Sequence, residues 1–245
     1  HDNQTLWDIA QFKLPEELPT DARVRAHLVA LSTVLYAQGV PFLHAGSDLL
    51  RSKSLDRNSY DAGDWFNAID WTGATTSFGR GLPLAGDNRA SWSVMRDRLV
   101  NPAMAPSPEL VAFASAAVRD MLRVRRDTPL FRLRSSDDIL DRADFHLTGP
   151  DAPPGVIVMT LRDDGDGLAD LDPAVDHLLV VINASPTRLN FDVPGGAERI
   201  WWVHPTLAAG ADAHTLRSAA VYPASGRATV PPLTTAVFVA PRMAR

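Results

Sequence analysis

Apolar residues recur every three or four positions in two stretches near the start of the chain. The first runs from Leu6 to Phe12 and predicts a short helix that Pro15 ends. The second begins at Thr20 or Asp21, which can cap a helix, and stops at Gly39, a residue typical of helix C-termini. Its apolar face carries Val24, Leu28, Leu31 and Leu35. This pattern predicts an amphipathic helix.

A third helix and a short strand follow from the next apolar segments. Ser107-Pro108-Glu109 supplies an N-cap, a first-turn proline and a first-turn acid, and the helix that it opens should end near Arg126. The run Val40–His44 directly follows Gly39 and predicts a strand, so that helix and strand form the unit of a parallel α/β sheet. Residues 45–106 hold no long periodic segment, only turns of helix near 47–52 and 91–99. A loop of this length is usually functional or disordered, and its aromatic residues argue against disorder.

The pattern changes after Thr128-Pro129 to short β-rich runs separated by Gly, Pro or Asp. These runs are Asp144–Leu147, Val156–Arg162, His177–Asn183, Arg188–Val193, Arg199–Val203, Ala219–Tyr222, Arg227–Val230 and Thr235–Val239. Short strands at this spacing predict an antiparallel β-sandwich. We therefore expect an α/β part over residues 1–134 and an all-β domain over residues 135–245.

Polar groups are concentrated between Gly39 and Asn67, directly after the predicted strand. They are Arg51, Lys53, Asp56, Arg57, Asn58, Tyr60, Asp61, Asp64, Trp65 and Asn67. Rings that cover C–H faces, next to charges and amides that bond hydroxyls, suit a neutral ligand such as a sugar better than a phosphate. A long surface loop with a solvated charge cluster is an equally good interpretation of the composition.

Composition narrows the class of partner. With 245 residues, 45% of them hydrophobic, the chain can bury a substantial core. A net charge of -5 without any Lys/Arg block argues against nucleic acid and anionic membranes. The absence of cysteine excludes disulfides and thiolate metal sites, and no apolar run is long enough to predict a membrane helix. The first residue is His rather than Met, so we expect a fragment or processed chain, whose localisation and oligomeric state stay open.

Two further polar motifs are ambiguous by themselves. The acidic run from Asp163 to Asp176 supplies oxygens of the kind that calcium prefers, but it lacks the ligand order of an EF-hand, which favours a solvated loop. The seven histidines show no pairing at i, i+4, so no transition-metal site is assigned. His1-Asp2 could orient a sugar or stabilise positive charge, but a dipeptide is very weak evidence, and the residues alone favour a chance pairing at the chain terminus.

Several segments together resemble a known family. They are His1–Asp8, Gln38–Phe42, Leu50–Ser54, Ser59–Asn67, Thr128–Leu133, Phe145–Pro150 and Gly155–Met159. These residues resemble the C-terminal part of pullulanase-type α-1,6-glucosidases and limit dextrinases of the α-amylase clan. The resemblance covers nearly the whole chain. It implies the C-terminal quarter of a TIM (β/α)8 barrel, from the end of the seventh strand to the eighth helix, followed by a β-sandwich. In such barrels His1-Asp2 and the loop after His44 would lie on the catalytic face.

The resemblance also implies a reaction and a role for five residues. The reaction is retaining hydrolysis of α-1,6 linkages in pullulan, amylopectin or limit dextrins. Asp2 matches the clan's third catalytic acid, which stabilises the distorted sugar ring, and His1 and Asn3 match residues of the same subsite. Arg57 and Asn58 match an Arg-Asp pair that contacts the neighbouring sugar, although Asn replaces Asp here.

The family's nucleophile and general acid would lie upstream of His1, so we expect this chain to be inactive by itself. A non-catalytic α-glucan-binding or structural module is the alternative interpretation. The chemistry requires no cofactor, and the resemblance allows a structural calcium ion without indicating its ligands. The expected partner is a branched α-glucan.

Overall fold

The computed structural model describes residues 3–165 and 167–242, and within them the chain is mixed α-helix and antiparallel sheet. The helices are α1 (Leu6–Lys13), α2 (Thr20–Leu35), α3 (Asp64–Asn67), α4 (Ala85–Asn88), α5 (Trp92–Leu99), α6 (Pro108–Asp127), α7 (Ser136–Arg142), α8 (Pro205–Ala208) and α9 (Ala213–Leu216). The strands are β1 (Ala143–His146), β2 (Val156–Arg162), β3 (Val175–Asn183), β4 (Leu189–Asp192), β5 (Trp202–Val203), β6 (Ala220–Tyr222), β7 (Arg227–Val230) and β8 (Thr234–Pro241).

The strands form two antiparallel sheets. One has the order β1-β2-β3-β8-β5 and the other β4-β7-β6. Each of the eight β-rich runs of the sequence forms a strand, and every pairing is antiparallel, so this part of the prediction is confirmed. In the larger sheet Val180 pairs with Met159 on one side and Val237 on the other, which places β3 at its centre between β2 and β8.

Both faces of the larger sheet are covered at its centre. Successive residues of a strand point to opposite faces, yet every residue from Leu178 to Ile182 is at most 4% exposed. Part of the cover comes from the end of α2, where the Ser32 hydroxyl lies 2.7 Å from that of Thr235 on β8. The continuous apolar run of β3 is therefore a consequence of burial on two sides.

The chain divides into two compact units, residues 3–28 with 43–118 and residues 29–42 with 119–242. In the second unit Arg125 of α6 ties the early segment to the later one, because it donates to the carbonyls of Leu35 at 2.8 Å and Ala37 at 2.7 Å. The amide of Gln38 likewise donates to the carbonyl of Leu130 at 2.8 Å. The second unit is thus built from two separate parts of the sequence.

The three predicted helices are confirmed as α1, α2 and α6, and the predicted turn of helix near residues 91–99 is α5. Thr5 caps α1 by accepting from the backbone N–H of Asp8, whereas α2 ends at Leu35, four residues before Gly39. Gly39 adopts a φ of 86°, which only glycine adopts readily.

The predicted strand Val40–His44 is wrong. These residues have no strand assignment, and no strand within the described ranges pairs with them. Val40 is 79% exposed and Phe42 86% exposed. An apolar run becomes a strand only where a neighbouring strand accepts and donates its backbone hydrogen bonds, and no strand in residues 3–165 or 167–242 does so here.

Candidate functional site

A buried carboxylate anchors the polar loop of the first unit. Asp8 on α1 is fully buried, and its two oxygens accept from the Ser52 hydroxyl at 2.5 Å and from the Lys53 backbone N–H at 2.6 Å. Burial raises the pKa of Asp8 to about 6, although the hydrogen bonds from Ser52 and Lys53 oppose the rise. The sequence offered no sign of this contact, because it joins residues more than forty positions apart.

The backbone of the anchored loop, residues 50–55, is strained. Leu50, Ser54 and Leu55 have φ values of 54°, 54° and 68°, in the left-handed region that costs a non-glycine residue of order 1–3 kcal/mol. Leu50 and Leu55 are fully buried, and the Ser54 hydroxyl donates to the carbonyl of Gly81 at 2.7 Å. Packing and hydrogen bonds therefore hold the loop in one conformation, as is common where side chains must be placed accurately.

Three polar residues meet beside this loop. The Lys53 ammonium donates to the Asn3 carbonyl at 3.0 Å, and Nε of Arg57 donates to Oδ1 of Asn3 at 3.4 Å. The structure thus brings together Asn3 and Arg57, which the resemblance assigns to substrate binding. His1 and Asp2, assigned to the same site, lie outside the described residues.

Asn58 is held by neighbouring acids and an amide. Its backbone N–H donates to Oδ1 of Asp56 at 3.0 Å, and Asn88 donates to the same oxygen at 3.0 Å while accepting from the backbone N–H of Arg57 at 3.0 Å. The Asn58 side chain donates to Oδ2 of Asp87 at 3.1 Å. An amide suits this place, because a carboxylate at position 58 would face the carboxylate of Asp87.

The loop borders a polar cavity of about 280 Å³. The residues that line it are His44, Arg51, Lys53, Asn58, Ser59, Tyr60 and Asn67. All seven belong to the stretch that the sequence analysis singled out, and Asn58 is the one predicted site residue among them. The lining offers amide, hydroxyl, imidazole and cationic groups, which can donate to and accept from a hydroxyl-rich ligand.

Arg51 forms one wall of the cavity. Its guanidinium donates to the carbonyl of Asn67 at 2.8 Å and to Nε2 of His44 at 3.3 Å. Burial lowers the pKa of His44, and the charges of Arg51 and Lys53 lower it further, so that His44 accepts this bond as the neutral imidazole. Gly46 has a φ of 83°, and a Cβ there would lie 3.0 Å from Cβ and Cδ of Arg51.

Exposed rings lie in the same part of the first unit. Tyr60 is 96% exposed, Trp65 60% and Trp71 69%. The Arg80 guanidinium lies 5.5 Å from the centre of the Trp65 ring, and the indole N–H donates to the Arg80 carbonyl at 3.2 Å. Trp65 is thereby fixed with much of its ring open to solvent, a geometry suited to stacking against a sugar.

The acidic run pairs with arginines. The carboxylate of Asp163 is fully buried, and it accepts from Arg142, from Arg242 at 3.2 Å and from the backbone N–H of Asp172 at 2.7 Å. Asp164 lies 3.0 Å from Arg199. The interpretation as a solvated loop is therefore wrong for Asp163 and Asp172, each 4% exposed.

Within residues 3–165 and 167–242, no group of three or more His, Cys, Asp or Glu side chains is placed to hold a metal ion. No helix formed by these residues combines the length and the apolar character needed to cross a membrane.

Known proteins match this chain along nearly its whole length. The family model described as "Alpha-1,6-glucosidases, pullulanase-type, C-terminal" matches residues 73–241. Pullulanase 1, chloroplastic, of Arabidopsis thaliana is 40% identical over 99% of this chain, and pullulanase of Klebsiella pneumoniae is 34% identical over 99%. The chain spans 25% and 22% of the lengths of these two relatives.

Solved structures give the same result. The maltotriose complex of PulA from Klebsiella pneumoniae superposes with a TM-score of 0.90 at 33% identity, covering 100% of this chain and 26% of that one. PulA from Klebsiella oxytoca superposes with a TM-score of 0.89 at 31% identity, covering 100% of this chain and 23% of that one. Since the family model matches more than half of the sequence, the chain belongs to the pullulanase-type α-1,6-glucosidases and corresponds to their C-terminal portion.

Proposed function

We propose that the protein containing this chain is a starch-debranching glycoside hydrolase that cleaves α-1,6-glucosidic linkages in branched α-glucans with retention of configuration. The family membership supports this reaction, and one observation in the site carries the proposal. Arg57 and Asn3, distant in sequence, meet at 3.4 Å beside a cavity lined by polar side chains. Hydroxyl-rich sugars are ligands that such a surface can bind.

The roles within the site follow from the resemblance. Asp2 stabilises the oxocarbenium-like transition state as the third acid, and His1 and Asn3 bind hydroxyls in the same subsite. Arg57 and Asn58 contact the neighbouring glucose unit. The nucleophile and the general acid, which lie about 5 Å apart in retaining enzymes, come from residues upstream of His1. By itself this chain therefore does not cleave glucan.

We also propose the corresponding architecture. Residues 1–134 form the C-terminal part of a catalytic TIM barrel, and residues 135–245 form a β-sandwich domain. The two antiparallel sheets of the second part support the sandwich. The barrel assignment rests on the resemblance, and a structure of the full-length protein with parallel strands upstream of His1 is its test.

The reaction is tested on the full-length protein with pullulan. We expect release of reducing ends whose anomeric form, followed by NMR at early times, is the retained α form. Asp2→Ala should lower kcat by about 10²-fold or more with a much smaller change in KM, because it removes a contact made in the transition state. Asn190→Ala, at an exposed position of β4, is the matched control and should behave as the unsubstituted protein does. Near-normal turnover by Asp2→Ala would refute the role of Asp2.

A non-catalytic glucan-binding module is the second candidate, and a cleft in the second unit favours it. This apolar cleft encloses about 440 Å³ beside β5, and Trp202 on its wall is 61% exposed. If the module hypothesis holds, the full-length protein will be retarded in a gel containing amylopectin, Trp202→Ala will abolish the retardation, and no reducing ends will appear. Glucan cleavage by the unsubstituted protein would exclude this candidate.

A further inference from the structure

We propose that Asp8 is a positioning residue for the glucan subsite, holding the loop of Arg57 and Asn58 against Asn3. The inference rests on the proposed function, because the subsite is the one assigned there. Asp8 is not among the residues that line the polar cavity, so it acts on the subsite through the groups that it holds.

The anchor itself is rigid. Asp8 lies in the first turn of α1, where its backbone N–H donates to the hydroxyl of Thr5 at 3.1 Å. The preceding residue, Trp7, is fully buried and fixes the helix in the core of the first unit. Both carboxylate oxygens are directed at the loop, one to the Ser52 hydroxyl and one to the Lys53 backbone N–H. Two acceptors on one planar group fix the loop in position and in orientation.

Short links lead from this anchor to the subsite. Lys53 donates from its ammonium to the carbonyl of Asn3 at 3.0 Å, and its own carbonyl accepts from the backbone N–H of Asp56 at 3.0 Å. Asp56 immediately precedes Arg57, and its side chain accepts from the backbone N–H of Asn58 at 3.0 Å. A shift of Lys53 would therefore move Asn3 and the Arg57–Asn58 loop by different amounts.

The strained residues between the anchor and the subsite make this restraint necessary. Ser54 and Leu55 both have positive φ, and the Ser54 backbone N–H donates to the Ser52 hydroxyl at 2.8 Å. The Ser52 hydroxyl donates to Asp8 while its oxygen accepts from Ser54, and the two bonds polarise each other and so strengthen each other. Without the carboxylate, relaxation of the two left-handed residues is the expected response.

The chemistry at position 8 suggests graded variants. Asp8→Ala leaves the Ser52 hydroxyl and the Lys53 N–H buried without this acceptor. Asp8→Asn keeps one oxygen for Lys53 and offers an N–H to Ser52, whose oxygen can accept a second bond. Ser52→Ala removes one of the two contacts and leaves the other. The loss should therefore decrease in the order Asp8→Ala, Ser52→Ala, Asp8→Asn.

The experiment measures kcat/KM on pullulan for the full-length protein, together with amide hydrogen exchange and the thermal midpoint. Asp8→Ala should lower kcat/KM by about 10²-fold, as expected when substrate-binding groups move by about 1 Å. Ser52→Ala should lower it by roughly tenfold, and Asp8→Asn by roughly threefold or less. Exchange at residues 53–58 should accelerate in the same order while exchange at β3 stays constant.

Leu161→Ala is the control for stability alone. Leu161 is fully buried in β2, so its truncation should lower the thermal midpoint without changing kcat/KM. An Asp8→Ala protein with a lowered midpoint and unchanged kcat/KM and loop exchange would overturn the proposal. If Asp8→Ala does not fold, unchanged kcat/KM and loop exchange in Ser52→Ala would overturn it. Should the unsubstituted protein cleave no glucan, the proposed reaction fails, and loop exchange still decides whether Asp8 positions the loop.

Discussion

Replacing Asp163 by Ala should destabilise the second unit strongly, because it removes one acceptor that several donors share. The guanidinium of Arg142, whose side chain is fully buried, would lose its nearest carboxylate and keep only the half-exposed Asp138 at 3.6 Å. The backbone N–H of Leu171 at 3.0 Å and that of Asp172 at 2.7 Å would lose theirs. Breaking a buried ion pair by removing one partner costs about 3–5 kcal/mol, and because Asp138 stays close to Arg142 we expect a loss near the lower end of this range.

Two further variants separate the charge from the hydrogen bonds. Asp163→Asn keeps an oxygen for the backbone donors and loses the charge, so its loss should be smaller, about 1–3 kcal/mol. Adding Arg142→Met to Asp163→Ala removes the buried charge as well as its partner. The double variant should be more stable than Asp163→Ala, because an apolar side chain in place of a stranded guanidinium removes the desolvation cost.

Amide hydrogen exchange of the β3 residues in the full-length protein measures the local free energy of unfolding. Asp192→Ala, at an exposed position of β4, is the matched control and should change that free energy by less than about 0.5 kcal/mol. A loss below about 1 kcal/mol for Asp163→Ala would refute the reasoning. So would a double variant that is less stable than the single one.

Three other predictions concern the first unit. The pKa of Asp8 rises on folding from 3.8 to about 6, so its contribution to stability is fully present below pH 3.8 and is lost as pH rises through 6. From pH 4 to 7, the difference in exchange-derived stability between Asp8→Asn and the unsubstituted protein should therefore shift by about 2 kcal/mol in favour of Asp8→Asn. A difference independent of pH would contradict this prediction. Gly46→Ala should push the Arg51 guanidinium away from His44, so the pKa of His44, measured by NMR titration, should rise. Gly63 is the control, because it also has a positive φ but has open space around its Cβ position. Gly63→Ala should leave the pKa of His44 unchanged. Asn58→Asp should raise KM for pullulan by roughly tenfold, because the new carboxylate would repel that of Asp87. Adding Asp87→Asn should return KM most of the way to its original value. If neither change alters KM, the contact between Asn58 and Asp87 at 3.1 Å does not contribute to substrate binding.

The sequence predicted the secondary structure well where one pattern decides it. The 3.6-residue period of α6 and the turn residues between β2 and β3 mark these elements without any knowledge of their partners. The strand predicted at Val40–His44 is wrong, because an apolar run has the same sequence pattern whether or not a neighbouring strand exists. The short helix α7 was missed, since seven residues between Ser135 and β1 give too few turns for a period to emerge.

The candidate site was found only in part for a related reason. The stretch between Gly39 and Asn67 was recognised from its density of polar groups, and it supplies the whole lining of the polar cavity. The role of Asp8 could not be seen, because a single acid on a helix resembles any solvated acid until its partner is known. The arginine partners of Asp163 were hidden for the same reason, at separations of about twenty and eighty residues.

The position of β8 has a consequence for biosynthesis. This strand is the last of its sheet to be translated, yet it lies between β3 and β5 and contacts α2 through Ser32. Until it leaves the ribosome, β5 has no partner and one edge of β3 stays open. While the residues between β3 and β8 are being synthesised, the nascent chain therefore carries an apolar strand with one unpaired edge, which favours chaperone binding, and a premature stop codon ahead of residue 234 would leave that edge open permanently.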